Sequence, residues 1–167
     1  SPTNGVTVRA CYGVSDSDPN LASCATFKTV TLTVSSEPLG VSIGTNDLSQ
    51  DLFKVDRNAP AEPELLDHWQ PRLIELIGRV ARAARSAAID CSVCGSAASD
   101  PTFAVVLAGL GVSSLSSAPT AVSSVRESLR AFDLATATKA AEIALDCPNS
   151  WAAKGAVQAF LIHGAIL

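Results

Sequence analysis

From residue 41 onward, short apolar segments alternate with helical stretches of about a dozen residues, and this alternation constrains the fold more than any other feature of the chain. Strands separated by helices return in the same direction, so right-handed strand–helix–strand units and a parallel sheet are expected. Val41-Ser42-Ile43 reads as a short apolar strand, closed by Gly44 and a polar turn. Pro60 and Pro63 punctuate a loop, and Pro71 stands where the first turn of a helix tolerates it. Leu73, Ile77, Val80 and Ala84 then recur at helical spacing, with Ile74 and Ala81 widening the stripe. Cys91-Ser92-Val93-Cys94 is compatible with a second strand. Asp100-Pro101 sets an N-cap before a proline, opening a helix to about Leu110 that Gly109 and Gly111 can end. Val112–Ser116 is the next strand candidate, and Pro119 opens a helix carrying Val122, Val125 and Leu129. Asp133 caps an Ala-rich helix through about Leu145, before Cys147-Pro148 stops it.

The flanks follow a different grammar. Residues 1–40 hold twelve Ser/Thr, with only Arg9 and Lys28 as cations. Within them Thr29–Val34 alternates with period two, which puts Val30, Leu32 and Val34 on one face of a strand, and Val6-Thr7-Val8 is a weaker second strand. The tail from Asn149 has no acidic residue and suits one more helix carrying Phe160 and Ile162. Three regions result: a β/loop segment over 1–40, an α/β body over 41–147, and a tail over 148–167.

At 167 residues the chain has room for one respectable core. Twelve cations against sixteen acids leave a formal charge of −4 and a pI near 5.0, which argues against a dedicated nucleic-acid binder. No apolar run approaches the roughly 20 residues needed to span a bilayer, so no membrane partner is expected. Five cysteines, an odd number, without a leader segment fit a reducing compartment, the cytoplasm by default. Methionine is absent even at position 1, so an excised or truncated chain is expected.

In a parallel α/β array, reactive groups gather where strands hand over to helices at their carboxyl ends. Two such segments are rich. One runs Gly44-Thr45-Asn46-Asp47-Leu48-Ser49-Gln50 and on to Val55-Asp56-Arg57; the other runs Cys94-Gly95-Ser96 to Asp100-Pro101. An amide, a carboxylate, an arginine and a thiol would then converge on one sheet edge. That set suits an anionic substrate with a metal: Asp for a hard cation, Arg for bidentate contact with phosphate or carboxylate, Cys for proton transfer.

Ser42-Ile43-Gly44-Thr45-Asn46-Asp47-Leu48-Ser49-Gln50 followed by Val55-Asp56-Arg57 resembles the signature of phosphoenolpyruvate-utilising enzymes. Among them it is most similar to the phosphoenolpyruvate–protein phosphotransferases, the Enzyme I family of the bacterial sugar phosphotransferase system. Trp69-Gln70-Pro71, Val93-Cys94-Gly95, Asp100-Pro101, Leu115-Ser116, Val125-Arg126 and Asp133-Leu134 agree in order and spacing, and the similarity covers about residues 38–147. The resemblance implies the last three strand–helix units of a (β/α)8 TIM barrel. It also implies transfer of a phosphoryl group from phosphoenolpyruvate to a histidine on a separate domain, releasing pyruvate. In that scheme Asn46 and Arg57 would bind substrate, Asp47 would ligate Mg2+, and Cys94 would protonate the enolate. The implied partners are phosphoenolpyruvate, pyruvate, a phosphocarrier protein and a second copy in a homodimer.

The departures are specific. The family's Cys-Gly-Glu is Cys94-Gly95-Ser96 here, the methionine expected after Ser116 is Ser117, and no glutamate stands where a second metal carboxylate is expected. His68 and His163 lie outside any family histidine motif. Three units cannot close a barrel that takes about 250 residues. The competing reading is therefore a catalytically incomplete fragment, acting at most as an association module. Cys91 and Cys94 also match C-x-x-C, but along a strand rather than at a helix N-terminus, and no second close pair completes a zinc site. Arg72, Arg79, Arg82 and Arg85 read as the solvated face of an amphipathic helix.

Overall fold

A computed structural model describes residues 5–11, 27–33, 40–55 and 63–164, with side chains over 40–55 and 64–162. The chain divides into two compact units, Ser1–Leu39 and Gly40–Leu167. In the first, β1 (Gly5–Cys11) pairs antiparallel with β2 (Phe27–Thr33), and the register sets Val6 opposite Leu32 and Val8 opposite Val30. Both alternating segments are thus strands, while Val34 lies outside the described residues.

The second unit is a mixed α/β body. Its strands are β3 (Gly40–Gly44), β4 (Asp90–Cys94) and β5 (Ser114–Ser116), parallel and in that spatial order. Gly44 lies opposite Cys94, and Cys94 opposite Ser116, so the three strands end in one row. Of the helices α1 (Thr45–Phe53), α2 (Pro71–Ser86), α3 (Pro101–Leu110), α4 (Val122–Ala131), α5 (Leu134–Leu145) and α6 (Ser150–Gly164), α1 and α2 pack on the strands, α3 packs on α2, α4 and α5, and α6 packs on α5. Three parallel strand–helix units are compatible with part of an α/β barrel. The tail helix α6 joins the same core through Ala153, Val157 and Leu161.

The residue pattern explains most of these elements. α2 buries Leu73, Ile74, Ile77, Ala81 and Ala84, each side chain of Leu or Ile size stabilising the fold by roughly 1.5–3 kcal/mol. Arg72, Arg79, Arg82 and Arg85 are all exposed. α3 is apolar on every side because it is wrapped by neighbours: Phe103, Ala104, Val105, Val106 and Leu107 are buried. Gly111 ends it with φ 91°, a left-handed cap in which a Cβ would strike the Arg85 guanidinium. A Cβ at Gly109 would collide with the Ala137 carbonyl, so α3 and α5 touch backbone to backbone. The alanines of α5, Ala137, Ala140, Ala141 and Ala144, permit that approach. A core with few aromatics is thereby closed by short distances rather than by large side chains.

One expectation fails. Residues 44–50, expected as a polar loop, enter α1 at Thr45. Thr, Asn, Asp and Ser are poor helix formers because their side chains compete for backbone groups. Here Ser49 Oγ donates back to the Thr45 carbonyl at 2.8 Å, both side chains are buried, and Leu48, Leu52 and Phe53 pack on the core. Tertiary burial overrides the local preference. Among the described residues no helix is long and apolar enough to cross a membrane.

Candidate functional site

The carboxyl ends of β3 and β4 hold the expected polar groups together. Thr45 Oγ1 donates to the Cys94 carbonyl at 3.0 Å, tying the first residue of α1 to the last of β4. Gly95 follows with φ 98°, and a Cβ there would lie 2.9 Å from Thr45 Oγ1 and 3.4 Å from Asn46 Nδ2. Only glycine meets both the left-handed backbone and the close approach. Ser96 Oγ then donates to Asn46 Oδ1 at 2.8 Å. The two turns therefore interlock through Thr45, Asn46, Gly95 and Ser96.

Asp47 and Cys94 share this rim. A Cβ built at Gly44 would sit 3.5 Å from Asp47 Oδ2 and 3.9 Å from Cys94 Sγ, so carboxylate and thiol converge on the bare Cα of Gly44. Asn46 and Asp47 are exposed and Cys94 is half-buried. The first turn of α1 also begins here, and its backbone N–H groups favour an anion. Of the four expected site residues, Asn46, Asp47 and Cys94 meet, and Arg57 lies outside the described residues.

A magnesium ion prefers near-octahedral oxygen ligands. Among the described residues no cluster of three or more Asp, Glu, His or Cys side chains can hold a metal. Asp47 offers one carboxylate beside a thiol, a soft ligand poorly matched to Mg2+. These residues alone do not make a magnesium site.

The two cysteines of C-x-x-C part company. Cys91 is buried, where desolvation pushes its thiol up, while Cys94 is on the rim. Residues three apart on a strand point to opposite faces, which excludes a local redox pair.

A second cluster was not foreseen. Asp100 Oδ1 accepts from the Thr102 and Phe103 backbone N–H groups at 2.9 and 3.1 Å, the cap expected from the sequence. Its Oδ2 also accepts from Trp69 Nε1 at 3.1 Å and lies 3.2 Å from His68 Nε2. Burial raises the carboxyl's proton affinity. The bonds from His68, the Phe103 N–H and Trp69 outweigh that, holding Asp100 well below the usual carboxylate range. An ionised Asp100 has no proton to give, so His68 donates from Nε2. Phe103 closes the group, with its ring centroid 4.8 Å from those of both His68 and Trp69, edge to face. This cluster clamps the segment before α2 onto the start of α3. Sequence showed only the cap, because Trp69 and Asp100 are 31 positions apart.

A cavity of about 600 Å³ runs along β5 and α4, lined by Leu115, Val122, Val125, Arg126 and serines 113, 114, 116 and 117. None of Asn46, Asp47 and Cys94 lines it. It follows β5 to that strand's carboxyl end at Ser116 without touching those three residues.

The molecule is thus an α/β protein whose amide, carboxylate and thiol gather at the carboxyl rim of a parallel sheet. Residues 31–134 match the family described as PEP-utilising enzyme, PEP-binding domain. The chain belongs to that family. It is 44% identical over 121 residues to the "Phosphoenolpyruvate-protein phosphotransferase" of Streptomyces coelicolor, covering 72% of this chain and 22% of that protein. It is 33% identical over 121 residues to the "Phosphoenolpyruvate-dependent phosphotransferase system" protein of Escherichia coli K12, covering 72% and 16%. With the "Probable phosphoenolpyruvate synthase" of Pyrococcus horikoshii it shares 38% over 87 residues, covering 52% and 11%. The chain spans about a fifth or less of the length of these relatives.

Proposed function

We propose that this chain supplies the last strand–helix units of a barrel-shaped substrate domain in a phosphoenolpyruvate–protein phosphotransferase of a sugar phosphotransferase system. The observation that carries the proposal is the convergence of Asp47 and Cys94 on Gly44, beside the Ser96–Asn46 bond. Asn46, with Oδ1 occupied by Ser96, presents Nδ2 as a donor to the anionic substrate. Arg57 is assigned to the phosphoryl or carboxylate group by family resemblance. When the phosphoryl group leaves for a protein histidine, the enolate carbon takes the proton of Cys94 Sγ, leaving a thiolate and pyruvate. Asp47 is this chain's contribution toward a divalent cation, the remaining oxygens coming from elsewhere. A phosphocarrier protein is the next acceptor, and the cytoplasm is the compartment that keeps Cys94 reduced.

Complementation tests this. The S. coelicolor relative, deleted of the region matching this chain, is mixed with the chain, and pyruvate release from phosphoenolpyruvate with magnesium is followed. Release is expected with the wild-type chain and at least 100-fold less with Cys94→Ser or Asp47→Ala. Equal release with the two variants sinks the assignment. A second reading, a non-catalytic association module, is favoured by the outer edges of β3 and β5, which have no strand partner among the described residues. No release from the complemented wild type, with the mixture folded, supports that reading.

A further inference from the structure

We propose that Arg82 and Arg85 form a second anion site, in a cleft between the carboxyl ends of α2 and α3 and one face of α5, and that its ligand is a small phosphomonoester with a short apolar body. The site stands apart from the phosphotransferase reading. α2 ends just before β4 starts at Asp90, and α3 just before β5 starts at Ser114. The cleft therefore lies toward the end of the sheet opposite the rim.

The cleft holds about 290 Å³, at the small end of ligand pockets. Arg82 and Arg85 stand one turn apart on α2, with roughly 5–6 Å between Cβ atoms, where like charges repel. Among the described residues neither guanidinium makes a hydrogen bond or an ion pair. Glu142, the acid in the lining, is engaged by Lys139 at 2.9 Å. The carbonyl ends of α2 and α3 carry about −0.5 charge each, so the two cations are only half balanced. Both arginines rest on bare backbone. Arg82 Nη1 would lie 3.3 Å from a Cβ at Gly78, and the Arg85 guanidinium covers Gly111. Side chains already laid in place lose less freedom when a ligand arrives.

The donors select the ligand. Each guanidinium is a planar fork that takes two oxygens, so a carboxylate is satisfied by one of them. A phosphoryl group brings three oxygens and close to two negative charges, enough to bridge both. Beyond the arginines the wall turns apolar. Leu134 is 69% exposed and Leu145 36%, and Leu110 joins them in the lining. A hydrocarbon body esterified to the phosphate would cover these side chains while its head meets the cations. The volume suits one small ring.

Titration of the 167-residue, nitrogen-15-labelled chain with phenyl phosphate at low salt, followed by NMR, tests the site. The guanidinium N–H groups of Arg82 and Arg85 and the amides of Leu110 and Gly111 should shift together, with a Kd of about 0.1–1 mM. Benzoate and inorganic phosphate, which lack the phosphoryl head and the ring respectively, should each bind at least about threefold more weakly. Arg82→Gln and Arg85→Gln should each weaken phenyl phosphate binding at least about tenfold, with unchanged circular dichroism. Arg85 also packs on the cap of α3, so Arg82→Gln carries the test if the other variant loses its fold. No shift in these groups up to about 10 mM, or an affinity unchanged in the folded variants, would overturn the proposal. Benzoate or inorganic phosphate binding as tightly as phenyl phosphate would overturn it as well. Binding at the rim is read separately from the Asn46 and Gly95 amides, so failure of this site is distinct from failure of the phosphotransferase reading.

Discussion

Ser96 Oγ donates to Asn46 Oδ1 at 2.8 Å, joining two turns 50 positions apart in sequence. A glutamate is expected here by family resemblance, and the shorter serine takes up the amide oxygen instead. The bond fixes which way the Asn46 amide faces. Ser96→Ala should lower kcat/KM of the complemented enzyme by about 3–10-fold, the worth of one neutral hydrogen bond. Ser96→Thr, which keeps the hydroxyl, should restore it. Pyruvate release measures both, and an unchanged Ser96→Ala removes Ser96 from the site.

Gly95 carries φ 98° and faces Thr45 Oγ1 where a Cβ would sit. Gly95→Ala should cost about 2–3 kcal/mol, the left-handed penalty plus the displaced Thr45–Cys94 bond. Urea denaturation gives the number. A loss below about 0.5 kcal/mol would show that the turn relaxes freely.

Asp100 titrates well below an unfolded aspartate because His68, Trp69 and the Phe103 N–H hold its ionised form. A depressed folded value means that the contribution is fully present above the unfolded value, near pH 4, and falls away as the pH drops toward the folded one. Asp100→Asn would point amide hydrogens at the Trp69 and His68 donors, costing about 2–3 kcal/mol at pH 7. Stability measured at pH 7 and pH 3 should show the gap between wild type and variant shrinking in acid. A gap that does not change with pH contradicts the clamp.

Two helical glycines should respond with opposite signs. Gly109→Ala drives a Cβ into the Ala137 carbonyl between α3 and α5, and should cost more than about 3 kcal/mol. Gly155→Ala faces open space and should gain about 0.5–1 kcal/mol through helix propensity. Thermal melts at a concentration that keeps the chain monomeric separate the two.

Much of the body was legible because its signals are local. Asp100-Pro101 starts α3 and Gly111 ends it, Asp133 starts α5 by accepting from the Thr136 N–H, and the Leu73–Ala84 stripe becomes the buried side of α2. α1 was misread because Thr45, Asn46, Asp47 and Ser49 favour turns, and only burial of Thr45 and Ser49 decides for helix. Asn46, Asp47 and Cys94 were found through motif words; Ser96 was noticed only as a departure. Its bond to Asn46 required the turns to be placed side by side.

The sequence alone determined the parallel order of strand and helix, the caps, and the family words around Asn46, Asp47 and Cys94, since these depend on neighbours within a few positions. Tertiary structure decided what distant groups do to one another: Gly44 aligned with Cys94, Ser96 turning the Asn46 amide, and His68 and Trp69 holding Asp100. Hydrogen bonds act over about 3 Å, a distance that sequence separation does not encode and only packing can supply.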